Sequence, residues 1–205
     1  MIRSRILTAS LLAAAAVGLS GCLGGLLGGG DPAQLYRFGG PSASGGVAEV
    51  TGARTAVTLA PIDFPQAAGG DRILTVTGAE AAFVKEARWV SPAEQLFAES
   101  LERAFEARSQ RVRLLSRGES GSSTVTLDVD VNAFETRYEG GVPTVLVDLD
   151  ARLVRFPERA VVAERRISMA RPASENRMTA IVAAYDEALA AALEQLVTWT
   201  DANAG

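Results

Sequence analysis

Two long segments with strict two-residue periodicity constrain this chain more than any other feature. In residues 124–136, Val125, Leu127, Val129, Val131 and Ala133 point one way, and Thr126, Asp128, Asp130 and Asn132 the other. In residues 143–156, Val145, Val147, Leu149, Ala151 and Leu153 repeat the pattern. Successive side chains of a strand face opposite sides, so each segment predicts a strand with one buried and one wetter face. Glu139-Gly140-Gly141 turns the chain between them, Pro157-Glu158-Arg159 turns it again, and residues 160–169 read as a third strand. The result is an antiparallel meander. Register follows from keeping the apolar faces aligned. Opposing Asp130 to Arg152, and Asn132 to Asp150, avoids placing Asp130 against Asp150, because directly opposed like charges destabilise a strand pair.

Shorter strands are predicted at 34–38, 55–61, 72–77, 82–90 and 112–116. Between the last two, Ser91-Pro92-Ala93-Glu94 reads as a helix start: Ser91 caps, Pro92 takes the first helical position, and Glu94 completes a capping box. Leu96, Phe97, Leu101, Ala104 and Phe105 then form one apolar stripe up to about Arg108. A second helix is predicted over 173–198, with Met178, Ile181, Val182, Tyr185, Leu189, Leu193, Leu196 and Val197 at helical spacing. The expected fold is a single α+β domain over 34–205: a mostly antiparallel sheet with two amphipathic helices packed on one face.

The N-terminal residues predict a different use. Arg3 and Arg5 precede an uncharged run from 6 to 19, the length of a signal-peptide apolar region and too short to span a bilayer. The run ends in Leu19-Ser20-Gly21-Cys22, which resembles the lipobox of bacterial lipoproteins. That resemblance implies a signal peptide over 1–21, with cleavage before Cys22 and a covalent lipid on its thiol. Residues 22–33 then combine the lipidated Cys22 with a glycine-rich tether. Leu23, where an aspartate would favour inner-membrane retention, points to the inner leaflet of the outer membrane, facing the periplasm. Loss of Arg3 and Arg5 leaves 18 basic against 24 acidic residues, a formal charge of −6.

Composition excludes several functions. The chain has no histidine, so no Ser-His-Asp or Cys-His machinery and no histidine-ligated metal. Its one cysteine cannot close an internal disulfide or hold a cluster. A net charge of −4 with 6% aromatics argues against nucleic-acid binding.

The lipobox, a strand containing Tyr36, the step Arg88-Trp89-x-x-Pro92 ahead of an amphipathic helix, the meander and the long last helix together resemble the ABC-type transport auxiliary lipoproteins, the group that includes the paraquat-inducible-operon lipoprotein. The resemblance implies a non-enzymatic protein, held to the membrane by its lipid. It would work with an ABC transporter and a mammalian-cell-entry-domain (MCE) protein to move phospholipid or similar apolar molecules. No cofactor beyond the lipid on Cys22 is expected, and homo-oligomerisation is left open.

The conspicuous residues each carry two readings. Trp89, with Arg88 and Pro92, is either an aromatic anchor for a partner or a core residue closing a strand–helix corner. Trp199 reads as a contact or as fraying surface. Asp128, Asp130, Asp148 and Asp150 form either a calcium site or a solvated, salt-bridged face. Lys85 with Ser120, Ser122, Ser123 or Thr124 would make a dyad only if the groups converge and desolvate. The apolar helix stripes serve either the core or a lipid-binding cleft, and the cleft gives the alternative function of a lipoprotein that itself carries phospholipid.

Overall fold

The computed structural model describes residues 32–40, 53–115, 121 and 123–204, and Ala33–Gly205 form one compact unit. The signal segment, Cys22, the tether and much of the 39–46 and 118–123 loops lie outside the described residues.

The organising element is β6 (Val125–Arg137). Along one side it pairs antiparallel with β7 (Thr144–Arg155), which pairs in turn with β8 (Ala160–Pro172). Along its other side it holds two separate branches. Its first half pairs in parallel with β2 (Thr55–Leu59), itself parallel to β5 (Val112–Leu115). Its last residues pair in parallel with β3 (Arg72–Thr77), followed outward by β4 (Glu80–Trp89) and β1 (Gln34–Tyr36). The eight-stranded sheet is open and mixed. Its long ladders are antiparallel hairpins, as predicted. The β1–β4, β2–β5, β2–β6 and β3–β6 ladders are parallel; parallel neighbours need a crossover, and the last three are connected through the one between β4 and β5.

That crossover is α2 (Ala93–Arg108), preceded by a one-turn helix α1 (Gln66–Gly69) that the sequence reading missed. The start of α2 does not follow the predicted capping box. Pro92 is the N-cap of α2 with no side-chain capping bond, and Ala93 donates its N–H to the Gly70 carbonyl instead. A backbone acceptor from α1's exit thus does what Ser91 was expected to do. The final helix α3 spans Met178–Asn203, five residues later at each end than predicted about its start and end. Residues 170–172 extend β8, and Ala173 donates to Pro143, so strand pairing outcompetes the helix there.

The predicted register of β6 and β7 is corrected. Asp130 does lie opposite Asp150, and the pairing slips by one residue between Val131 and Ala133. A residue inserted at Asn132 reverses the strand's parity. Beyond it Phe134 and Thr136 turn inward and are buried. Both helices cover one sheet face, where Leu127, Val129, Leu149, Ala151 and Leu153 meet α3 residues such as Ala188, Leu189, Ala192 and Leu196.

Candidate functional site

The alternation of β4 decides what the Arg88-Trp89-x-x-Pro92 step presents. Trp89 turns inward and is 2% exposed. Its indole meets the Phe38 ring edge-on at 4.8 Å and Tyr185 at 5.2 Å, inside a cluster completed by Phe134. Such pairs add about 0.5–1.5 kcal/mol each beyond the area they bury. Trp89 is therefore the core residue of the strand–helix corner, and its ring offers no surface to a partner. Trp199, on α3, is likewise buried.

Arg88 and Pro92 remain outside. Arg88 donates from one nitrogen to both Asp71 oxygens at 3.1 and 3.0 Å. Both partners are about half exposed, so water screens most of this pair's worth. Leu35 sits directly opposite Arg88 in the β1–β4 ladder and is 60% exposed; Val90, two residues on, is 44% exposed. The same period that buries Trp89 thus lays Leu35, Arg88 and Val90 along one outward strip at the sheet edge, ending at Pro92.

Behind this strip the chain is clasped. Phe38 is fully buried, and Gly39 follows it at φ +66°. Gly39 donates its N–H to Asp186 Oδ1 at 2.7 Å and accepts from Arg103 at 2.6 Å. Burial pushes the Asp186 carboxyl up, partly offset by the Gly39 bond. The clasp joins β1 to α2 and α3 together. A glycine pair after an aromatic strand gives little warning of it, since the partners lie 64 and 147 residues away.

The four aspartates of the polar face are shared out among donors. Arg152 reaches diagonally to Asp130 at 2.7 Å. Asn132 bridges Asp148 and Asp150 at 3.2 and 2.7 Å, and Arg166 makes two bonds to Asp148. Burial alone would raise Asp148, but hydrogen bonds from Ser168, Arg166 and Asn132 outweigh it and hold the carboxyl below its usual range. These diagonal donors are why Asp130 tolerates Asp150. Among the described residues no carboxylate group has the arrangement to hold a metal ion. Lys85 and Ser123 are not brought together: Lys85 is exposed on β4, while Ser123 bonds the Ala56 carbonyl at the start of β6.

The helix–sheet interface is filled by the chain's own side chains. Among the described residues, a surface hollow of about 290 Å³ lies at the β6–β7 turn beside Arg137 and Val142, and another of about 490 Å³ lies between the C-terminal ends of α2 and α3.

This arrangement defines a class before it defines a member: an open α+β sheet, helices on one face, an edge strand continuing from the N-terminal segment. The chain belongs to the ABC-type transport auxiliary lipoprotein component family, whose model it matches over residues 36–197. Among solved structures it is similar to a Xanthomonas campestris protein, at 26% identity and TM-score 0.67, covering 83% of this chain and 94% of that one. A hypothetical protein from Chlamydia trachomatis shares the fold at 8% identity and TM-score 0.50, covering 74% of this chain and 98% of that one. No curated protein matches the sequence.

Proposed function

We propose that the protein is a non-catalytic scaffold of an ABC/MCE-type envelope lipid transport system, held to the inner leaflet of the outer membrane by a lipid on Cys22 and facing the periplasm. The family match over residues 36–197 carries this reading. The lipobox at 19–22 supports the anchor. A cysteine carrying two or more acyl chains gives stable attachment, where one chain holds only marginally.

The partner surface is the strip of Leu35, Arg88, Val90 and Pro92 rather than the Trp89 ring. An apolar edge bordered by an arginine is a common anchor composition at interfaces. The closed packing between helices and sheet favours a scaffold over a carrier, because an acyl chain entering there would have to displace core residues such as Leu149 and Leu196.

Co-purification from native membranes tests the proposal. An MCE-domain protein is expected with the wild-type lipoprotein, and severalfold less of it with the Arg88→Glu, Val90→Asp variant. Reproducible absence of that partner from wild type would sink the scaffold. Phospholipid bound at one equivalent to the delipidated chain, seen by native mass spectrometry, would replace it with the carrier.

A further inference from the structure

The registers place two features at opposite ends of the sheet. Gln34, the first residue of β1, pairs with Ala87, level with the last third of β6 through the β3–β4 and β3–β6 ladders. At the other end, Val125 opens β6 opposite Arg155, with Val57 on its far side. The separation is roughly nine strand positions, or about 30 Å.

Arginines collect at this second end. Arg54 precedes β2, Arg111 precedes β5, Arg155 closes β7, and Arg159 sits in the β7–β8 turn. The ladder order β5-β2-β6-β7-β8 lines them up across one rim. Arg111, Arg155 and Arg159 are exposed and Arg54 is half-buried. Elsewhere Arg88, Arg137, Arg152 and Arg166 each hold a carboxylate, while Arg72 lies over the Phe83 ring and Arg165 donates to Gln195. Among the described residues, none of the four rim arginines makes an ion pair. Between them two apolar side chains stand out, Phe156 at 42% and Val161 at 54% exposed. One carboxylate, Glu158, is exposed in the same turn, so the rim carries four arginines against one acid in a chain of net charge −4.

We infer that this rim docks an acidic polypeptide segment of a partner, one that sets carboxylates against the arginines and buries an apolar residue on Phe156 and Val161. Two observations select a polypeptide over a lipid surface. The rim lies at the end of the sheet away from Gln34, the first residue of β1, an argument that rests on the proposed anchor at Cys22. Its arginines also come from three chain segments, before β2, before β5 and around the β7–β8 turn, so they offer a line of separated charges to an extended acidic strand. Carboxylates on the partner would accelerate encounter, and the apolar contact would slow departure. The inference is independent of the Leu35–Pro92 strip and of which transporter is served.

The test is site-specific photo-crosslinking of the full lipoprotein in its native membranes, with a benzophenone amino acid at Val161. The expected product is an adduct to another protein, mapped by mass spectrometry to a segment rich in Asp and Glu. Arg155→Glu with Arg159→Glu should reduce its yield at least about tenfold, while Arg155→Lys with Arg159→Lys retains most of it. Far-ultraviolet circular dichroism checks that the exposed substitutions leave the fold intact. The inference is overturned by any of four results: no adduct, an adduct to phospholipid, an adduct to a second copy of this chain, or a yield indifferent to charge reversal. Should the MCE-domain protein co-purify equally with the charge-reversed variant and no adduct form, the rim fails and the scaffold stands. Should that protein be absent while an acidic segment of another protein is captured, the scaffold fails and the rim stands.

Discussion

Two buried or partly buried aspartates titrate in opposite directions, and the opposition can be measured. Asp148 is held below the ordinary carboxylate value of 3.8 by its donors, so it contributes stability that is present above that value. The contribution is lost as pH falls through the lower folded value. Asp186 is raised by burial, so its ionisation costs stability as pH rises from 3.8 through its higher folded value. Asp148→Asn should therefore destabilise at neutral pH by roughly 1.5–3 kcal/mol, the worth of a hydrogen bond to a charged group, and the difference should shrink at about pH 3. Asp186→Asn keeps an oxygen for the Gly39 N–H. It should match wild type in acid and exceed it at neutral pH. Urea midpoints at the two pH values check both; equal pH profiles for the two variants would refute the assignment. Gly39 itself permits no Cβ: its φ of +66° is strained for other residues, and a Cβ would overlap Ser100 Oγ. Gly39→Ala should cost about 2–4 kcal/mol, and Ser100→Ala in the same chain should restore part of it, as read by thermal and urea unfolding.

Strand β1 is only three residues long, and its ladder alone cannot hold an edge in place. Phe38 supplies what the ladder lacks, seated at 4.8 Å from Trp89 and 4.9 Å from Phe134. Phe38→Ala should destabilise the fold by about 3–5 kcal/mol. Hydrogen exchange gives the sharper readout: the Val90 amide, bonded to the Tyr36 carbonyl at 2.8 Å, should lose protection before the β6–β7 ladder does. Uniform loss across the sheet would mean that β1 is not a separable unit. The elements that could be read from sequence are those whose pattern is local. Period two gave β6, β7 and β8, and helical spacing gave the stripes of α2 and α3. What escaped was set by distant partners. The Asn132 bulge depends on β7 and β8, and it turned Phe134 inward against the alternation. The Gly70 carbonyl replaced Ser91 as the cap of α2. Trp89 had two readings, and only the position of Phe38 and Tyr185 chose between them. Gly39, Asp186 and Arg103 carry no motif at all, since their meeting requires the finished packing of both helices.

At the scale of the molecule, the first residue of β1 and the rim of Arg54, Arg111, Arg155 and Arg159 lie toward opposite ends of the sheet. The core fills the layer between sheet and helices, and its buried side chains among the described residues run from Phe38 to Ala204. Attachment and folding are therefore expected to be separable. Cys22→Ala removes the thiol that would carry lipid while leaving every one of those core residues in place. The variant should move from the membrane fraction to the soluble fraction, because an unacylated chain loses about 0.8 kcal/mol for each buried CH₂ of its anchor. Its thermal midpoint should equal that of the wild-type protein in detergent. Mass spectrometry of the wild-type N-terminal peptide should show the mass of an acylated cysteine. A Cys22→Ala protein that stays with the membrane after a salt wash would mean that the folded domain, not the lipid, holds it there. A lowered midpoint would mean that residues around Cys22 belong to the folded unit, and the division of labour between tether and sheet would fall with it.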